Sequence, residues 1–538
     1  MTPMEINYSG KSALIVDSKL EDLGTLRQIL GRIGVGQIQV ASSVNMALSL
    51  MREFSYDLCF AAYDMGKGEK NGLQLLHEAN AEFIFPASSA YFLVVDPKDA
   101  ELLFGSLENS PDTYLSKPFD QAKIRQRVEK LLRIKDAIKP IEQLLDDEHF
   151  DEVIEKSEVL IKHYPGLSIV LQRITGIALI RMRRFSQAKT LFLTLTEKRA
   201  LPWAEVGKGI AYFNLGEYSQ ALTSLNHVVN QQHIRVETFT WLARIHQARG
   251  ELELAVALMR KAVMLQPTVP ALQGELAELA SQTAEWDIAK GAYQQAVRYA
   301  RYSVFQSPKY YFGLVRALIQ ANAQRLPEIE DDVIRVLEDV VLDHPDNQEV
   351  MFRAKLINCD FYRLESDTSR LQQMLQQTWN FFLRMDVDSQ CKWLDVMVDT
   401  AQGTDLEDVV QKRRKELSRS MIEKEWGKAN YSAMTSFRGG DLDKAFQMFG
   451  RAHELLPSHT GIALNLVQAG IEKAKRGESA LWILLSVRDV LSTISFGALP
   501  LKQQQRYQVL SARFVEQYNQ LVGPPVDASG NDPLSQEL

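Results

Sequence analysis

The stretch Leu215-Gly216-Glu217-Tyr218-Ser219-Gln220-Ala221 recurs along the chain and predicts the fold of its larger part. Thirty-four residues later stands Gly250-Glu251-Leu252-Glu253-Leu254-Ala255, and 34 residues beyond that stands Ala284-Glu285-Trp286-Asp287-Ile288-Ala289. Each copy contains a turn, a large apolar residue and a small alanine, with apolar residues at helical spacing on both sides. The pattern predicts two helices joined by a tight turn, repeated many times.

The repetition has a physical reason. An isolated helix of about 12–15 residues is marginal in water, so it needs a neighbour against which to bury its apolar stripe. Gly216 and Gly250 permit the left-handed backbone that ends a helix, and Ala221 and Ala255 let two helices approach closely. The unit resembles the tetratricopeptide repeat family, whose period is about 34 residues. That resemblance implies an all-α superhelical solenoid that binds other proteins.

The repeats divide the chain downstream of residue 135 into segments. We expect a regular array over residues 136–305, degenerate helical pairs with longer units over 306–425, and a C-terminal repeat with capping helices over 426–522. Leu501–Leu521 resembles the solvating terminal helix that such arrays need. Residues 523–538 are rich in Pro, Gly, Asp and Ser and are predicted to be a disordered tail.

Residues 1–135 have a different pattern, in which short apolar runs alternate with helical segments. Five such alternations predict an α/β doubly wound parallel sheet, with any site at the carboxyl ends of the strands. The predicted strands are 13–16, 37–40, 58–62, 91–95 and 113–116. The predicted helices are Leu23–Ile33, Asn45–Phe54, Gly72–Ala81, Leu102–Glu108 and Gln121–Leu132.

Three motifs in this region resemble the receiver domain of two-component response regulators. They are Asp17 after the first strand, Asn71-Gly72 at the start of the third helix, and Lys117-Pro118-Phe119 after the fifth strand. The resemblance implies a site with two neighbouring acids for Mg²⁺, an acceptor aspartate, a hydroxyl residue and the lysine. Such a site must gather oxygen ligands around a dication and stabilise the transferring phosphoryl group.

Several of these groups are missing. Ser18 occupies the second acidic position, and Val95 occupies the hydroxyl position. Counting forward from Tyr56-Asp57 places the acceptor at Ala62, whereas counting backward from Asn71-Gly72 places it at Asp64. The forward count is preferred, because loops accept insertions more readily than a central strand does. The sequence therefore predicts a degenerate site that does not accept phosphate.

Two alternatives remain open at this site. Asp17 and Lys117 can persist as a buried pair that holds the strand ends together, with no metal and no phosphate. Asp64 can instead serve as an unorthodox acceptor, in which case Asp17 and Asp64 are the candidate Mg²⁺ ligands. On the preferred interpretation the protein needs no cofactor.

Composition excludes several classes of function. The 538 residues carry a formal net charge of -7, which gives no global attraction to nucleic acid or anionic lipid. The basic run Gln411–Glu416 is expected on a helix where Glu407 and Asp408 can pair with it. The three cysteines lack metal-ligand spacing, no apolar run is long enough to span a membrane, and no catalytic motif is present. We therefore expect a cytoplasmic protein that is not an enzyme and does not insert into membranes.

The leading functional hypothesis is a non-enzymatic scaffold or auxiliary regulator in bacterial two-component signalling, resembling the receiver-plus-repeat regulators of the VieB type. Its degenerate receiver would dock to a histidine kinase or another response regulator, and its repeats would bind a protein. The alternatives are a regulator phosphorylated at Asp64 with the repeats as output, and a structural assembly factor outside signalling. The sequence does not indicate the oligomeric state.

Overall fold

The computed structural model describes residues 7–96, 107, 111–230, 236–477 and 479–523. The chain forms two compact units. Unit 1 comprises Met1–Ile245, Leu258–Leu272 and Tyr299–Phe305, and unit 2 comprises His246–Ala257, Gln273–Arg298 and Gln306–Leu538. The helix predicted over 102–108, except for Leu107, and the tail predicted over 523–538, except for Gly523, lie outside the described residues.

The N-terminal part of unit 1 is a five-stranded parallel sheet with helices on both faces, as the sequence predicts. Its strand order is β2-β1-β3-β4-β5, which is the doubly wound order with a switch point between β1 and β3. The strands are β1 Ser12–Val16, β2 Gln37–Ala41, β3 Leu58–Ala62, β4 Ala90–Val95 and β5 Thr113–Ser116. The helices are α1 Leu20–Ile33, α2 Val44–Glu53, α3 Gly72–Ala81 and α4 Gln121–Asp146.

Each face of the sheet carries its own apolar core. Leu14 and Val16 belong to the core under α2 and α3, whereas Ala13 and Ile15 belong to the core under α1 and α4. Successive side chains of a strand point to opposite faces, so a strand covered on both sides is apolar throughout. This explains the unbroken apolar runs that predict β1, β3 and β4.

Helix α4 connects the sheet to the repeats without a break. It runs 26 residues, through Pro140, so the boundary predicted at residue 135 falls inside a continuous helix. The buried Lys135 ammonium donates to the Ala87 carbonyl at 2.6 Å and lies 2.8 Å from the carboxylates of both Asp112 and Glu142. This cluster attaches α4 to two loops of the N-terminal domain.

A second attachment within unit 1 involves the backbone of Leu107. The Arg173 guanidinium donates to the Leu107 carbonyl at 2.8 Å, and the Leu107 N–H donates to the Glu237 carboxylate at 2.8 Å. The backbone of Leu107 is therefore bonded to side chains from α6 and α10.

Twenty helices follow α4 in the described part of the chain. None of the described helices combines the length and the apolar character that crossing a membrane requires. They are α5 Phe150–His163, α6 Ser168–Arg181, α7 Phe185–Lys198, α8 Pro202–Asn214, α9 Tyr218–Asn230, α10 Val236–Ala248, α11 Leu252–Leu265, α12 Pro270–Gln282, α13 Trp286–Ala300, α14 Pro308–Ala321, α15 Glu330–Asp343, α16 Gln348–Leu364, α17 Thr368–Arg384, α18 Val387–Ala401, α19 Glu407–Glu423, α20 Glu425–Arg438, α21 Leu442–Leu455, α22 Thr460–Ala474, α23 Ala480–Thr493 and α24 Leu501–Val522.

A residue with left-handed backbone recurs two positions before the second helix of many pairs. It stands at Glu148, Arg183, Gly216, Gly250 and Ala284, at intervals of 33 to 35 residues, and again at Ser366 and Gly440. Glycine adopts this conformation freely, whereas other residues adopt it only where the surroundings hold them there. The turn geometry of the repeat therefore extends to copies that lack glycine.

Glycines on the helices receive aromatic rings from neighbouring helices. A Cβ atom added at either Gly176 or Gly207 would lie 2.6 Å from the ring of Phe192, which is itself fully buried. The ring therefore packs against the bare backbone of α6 and α8 at once. This contact sets the spacing of three successive helices.

We expect Gly207→Ala to destabilise the first repeats by about 1–3 kcal/mol, because the new methyl group overlaps the Phe192 ring in a packed core. The measurement is hydrogen exchange of the α6–α8 amides, together with the midpoint of thermal unfolding. Gly24→Ala in α1 is the matched control. An added Cβ there meets nothing within 4 Å, so the change should stabilise by about 0.5–1 kcal/mol. Unchanged protection in Gly207→Ala would contradict this packing argument.

Candidate functional site

The predicted receiver-type residues come to one edge of the sheet. Asp17 follows β1, Ala62 ends β3, Val95 ends β4 and Lys117 follows β5. Parallel strands place their carboxyl ends at the same edge, where doubly wound folds carry their sites. The strand register pairs Ala62 with Val94, and the Lys117 N–H donates to the Val95 carbonyl at 3.1 Å.

The central feature of this edge is a cluster of one ammonium and two carboxylates. Lys117 Nζ lies 3.0 Å from Asp17 Oδ2 and 2.5 Å from Asp22 Oδ2. The Asp17 side chain is 1 % exposed and also accepts the Lys19 N–H at 2.9 Å. Burial lowers the pKa of Lys117, but the hydrogen bonds that it donates to Asp22 and Asp17 outweigh burial and raise the pKa above its usual value. The lysine is therefore held charged between two acids.

Asp22 is a member of this site that the sequence reasoning missed. It lies in the first turn of α1, five positions after Asp17, so it reaches the same strand edge. Acidic residues are common in first turns because they face the positive end of the helix dipole. The sequence therefore indicates only this common role for Asp22. Its contact with Lys117 is visible only in the structure.

The register of β3 places Ala62 at the end of the strand. Each residue from Leu58 to Ala62 pairs in sequence with one residue of β4, without a bulge. The loop between β3 and α3 follows Ala62. Asp64 lies in that loop, is exposed, and its Oδ1 accepts the Gly66 N–H at 3.0 Å.

The residues at this edge do not fit a Mg²⁺ site. A magnesium ion requires oxygen ligands in near-octahedral order, usually including one or two carboxylates. Here the Asp17 carboxylate is bound by Lys117 and a backbone N–H, and Ala62 offers no side-chain oxygen. Among the described residues, no three His, Cys, Asp or Glu side chains form a group that could hold a metal ion.

Unit 2 contains a second candidate site, where residues 495–498 lie in the interior of the unit and are held there by hydrogen bonds. Ser495 and the Gly497 N–H both donate to the buried carboxylate of Glu278, the latter at 2.8 Å. Arg353 donates to the Ala498 carbonyl at 3.1 Å. A Cβ at Gly497 would overlap the Tyr293 hydroxyl, so only glycine fits there. Residues 495–498 are therefore held by hydrogen bonds to Glu278 and Arg353 and by packing against Tyr293.

Helix α24 does more than the solvating cap that the sequence predicts. It buries a stripe that faces α22 and α23 and consists of Tyr507, Leu510, Phe514 and Tyr518. Its Val515 also lies against Gly250 within unit 2, where an added Cβ would approach it to 2.9 Å. The terminal helix is thus a core element of its unit.

The basic run Gln411–Glu416 lies on α19, but its ion pairs differ from those predicted. Arg413 pairs with Glu416 at 3.0 Å and Arg414 with Asp395 at 3.6 Å. Glu407 instead accepts the Gly403 N–H at 2.7 Å, from the turn that precedes its own helix. Two of the four positive charges of this run are therefore paired with acids.

The solved structures that are similar to this chain match only its N-terminal part. No protein-family model matches the sequence, and no curated protein is similar to it. A receiver domain protein from Clostridium thermocellum is similar at 19% identity and a TM-score of 0.21, over 23% of this chain and 97% of that one. A CheY-like receiver domain protein from Methanospirillum hungatei JF-1 is similar at 20% identity and a TM-score of 0.20, over 23% and 96%.

NtrX from Brucella abortus is similar at 17% identity with a TM-score of 0.23. The match spans 25% of this chain and 29% of NtrX. The chain thus covers less than a third of that relative.

We expect Lys117→Met to destabilise the N-terminal sheet by about 3 kcal/mol, because it leaves Asp17 charged, buried and without its partner. Asp17→Asn should cost less, and the double variant should cost less than the sum of the two single changes. The measurement is native-state hydrogen exchange of the β1 and β5 amides.

Asp64→Ala is the matched control for the variants of Lys117 and Asp17, since the Asp64 side chain is exposed and bonds only locally. It should change protection by no more than about 0.5 kcal/mol. Strict additivity of Lys117→Met and Asp17→Asn would show that the two side chains do not interact.

We expect Glu278→Gln to change how the stability of unit 2 depends on pH. Burial raises the pKa of Glu278, although donors from Ser495 and Gly497 oppose the shift. A carboxyl group with a raised folded-state pKa gives most stability below its unfolded value, about 4.3, and loses it as pH rises through the folded pKa. The melting temperature of Glu278→Gln relative to the native protein should therefore increase across that window. Glu253→Gln is the control, because Glu253 is exposed on α11. The difference in melting temperature between this variant and the native protein should not change with pH.

Proposed function

We propose that this chain is a non-enzymatic, cytoplasmic adaptor in bacterial two-component signalling. Its N-terminal domain docks to a histidine kinase or another response regulator without accepting phosphate, and its tetratricopeptide-like repeats bind a protein. The observation that carries the proposal is the closed charge cluster of Lys117, Asp17 and Asp22 beside a strand end that carries Ala62.

The chemistry of phosphoryl transfer supports this interpretation. An acceptor carboxylate, a free cation and a dication must meet at the reacting phosphorus. In this site the ammonium is already neutralised by two carboxylates, and the acceptor position carries a methyl group. The domain has the doubly wound parallel sheet of a receiver fold, so recognition by shape is the activity that its residues support.

The arrangement of the helices supports the proposal that the repeats bind a protein. Stacked helix pairs contact mainly their neighbours and expose an extended surface, which in solenoid proteins is a binding surface. Some tetratricopeptide domains bind a terminal carboxylate with a clamp of lysine, asparagine and arginine side chains, but Lys208 and Asn214 are engaged locally here. Lys208 pairs with Glu205 at 2.7 Å, and Asn214 donates to the Ile210 carbonyl at 2.9 Å. A clamp built on these two residues is therefore not part of the proposal.

The test of the first half is incubation of the purified full chain with acetyl phosphate and Mg²⁺, followed by intact mass measurement. We expect an unchanged mass, because Ala62 offers no oxygen and Lys117 is committed to two acids. A mass increase of one phosphoryl group that Asp64→Ala abolishes would overturn the proposal in favour of a regulator phosphorylated at Asp64.

The same full chain, used as affinity bait in its native cells, tests the second half. Recovery of a histidine kinase or a response regulator is the expected result. Recovery of structural proteins only, with the mass unchanged in the first assay, would instead identify an assembly factor outside signalling.

A further inference from the structure

Unit 2 encloses a cavity that the proposed signalling role does not use. Its volume is about 360 Å³, and its walls come from α14, α16, α18, the turn before α22 and residues 498–504. Small-molecule sites in proteins span about 300–1,000 Å³ and combine apolar walls with a few polar groups. This cavity lies at the lower end of that range, and Ile319, Leu356, Trp393 and Val396 supply its apolar wall.

The acidic groups that line the cavity already have partners. Asp360 lies 3.3 Å from Arg316, Glu349 lies 2.5 Å from Lys392, and Asp399 lies 2.8 Å from Lys502. The fourth, Asp395, lies 3.6 Å from Arg414, which is outside the lining. No carboxylate of the lining is therefore left to neutralise a further cation.

Two cations of the lining form no ion pair with the described residues. One is Arg363, which donates to the Thr400 carbonyl, and the other is Arg353. Its guanidinium lies over the ring of Phe312 at 4.2 Å and the ring of Trp393 at 5.5 Å. It donates to the Ala498 carbonyl, and no carboxylate among the described residues lies within ion-pairing distance of it. A guanidinium has five N–H donors in a planar fork, so most of its hydrogen-bonding capacity is unused.

The surroundings of Arg353 favour an added anion. Burial and the nearby Arg316 lower the pKa of Arg353 to about 10, so the site disfavours the positive charge that this residue still carries near neutral pH. The Arg316 Nε, also at the lining, is buried without an acceptor. A desolvated cation costs free energy unless an anion or a set of acceptors compensates it.

The formal charge of the lining favours an anion with one negative charge. Five cationic side chains and four carboxylates line the cavity, which leaves one positive charge in excess. A dianion such as phosphate would exceed that formal charge and would face the carboxylates of Glu349 and Asp360. A carboxylate matches both the excess charge and the planar fork of an arginine.

We propose that this cavity binds a carboxylate carried on an apolar body, with Arg353 as the anion anchor and Trp393 as part of the apolar wall. The carboxylate belongs either to a small organic acid or to an acidic residue between apolar residues of a peptide. The proposal does not depend on the function proposed for the N-terminal domain.

The test is calorimetric titration of the full chain with matched acid and amide probes. The first pair is 4-phenylbutyrate and 4-phenylbutyramide. The second is an acetylated, amidated tripeptide with glutamate between two leucines, and its glutamine counterpart. In at least one pair the acid should bind about tenfold or more tighter than its amide, since a hydrogen bond to a charged group contributes that much. The pair that binds identifies the source of the carboxylate.

Arg353→Met should weaken the binding of the acid about tenfold or more and leave any binding of the amide unchanged. Arg353→Lys, which keeps the charge but loses the fork, should give an intermediate affinity, and it serves as the test if Arg353→Met does not fold. Arg335→Met is the matched control, because Arg335 is 69% exposed on α15 and outside the cavity. It should bind like the native chain.

Three results would overturn the proposal. They are equal affinity for acid and amide, no binding of any of the four probes to the native chain, and full retention of acid binding in Arg353→Met and Arg353→Lys. Tighter binding of inorganic phosphate than of both acids would contradict the assignment of a single negative charge.

Discussion

The array depends on aromatic rings that pack against glycine backbone on adjacent helices. Phe192 occupies the space of two missing side chains, at Gly176 and Gly207, and Tyr293 does the same at Gly313 and Gly497. Each ring fixes both the separation and the rotation of the helices that it joins, since a displaced ring would meet backbone atoms. Repeats contact mainly their neighbours, so such contacts carry the geometry from one pair to the next.

The contact at Gly497 differs from the others because it joins residues far apart in sequence. It anchors the segment before α24 in the interior of unit 2, where Glu278 and Arg353 hold the backbone of the same segment. An array of helix pairs can lose its ends by local unfolding, because terminal repeats have only one neighbour. The anchored segment opposes that loss, since it ties the end of the chain to helices within the array.

How much the sequence predicts follows from the range of the interactions involved. The bounds of β3, β5 and α3 follow from local periodicity and agree with the structure, and the repeat unit follows from its glycine and alanine spacing. The left-handed turns at Glu148, Arg183 and Ser366 could not be predicted, because those residues adopt this backbone only under the constraint of the packed pair. The contact of Asp22 with Lys117 and the bonds that hold residues 495–498 to Glu278 and Arg353 depend on separations from 95 to 219 residues, which no local pattern encodes.

The two sites differ in how their charges balance, and this difference bears on where the chain can act. At the sheet edge one ammonium meets two carboxylates, so the ammonium is left with no unpaired charge for an anionic ligand. In unit 2 each carboxylate of the cavity has its own cation, and the guanidinium of Arg353 is left with one carbonyl and two aromatic faces. A binding site needs unsatisfied but preorganised groups, because satisfied groups must first break their own contacts. By that criterion the capacity to bind a small charged group lies in the helices of unit 2, and the N-terminal domain offers its outer surface.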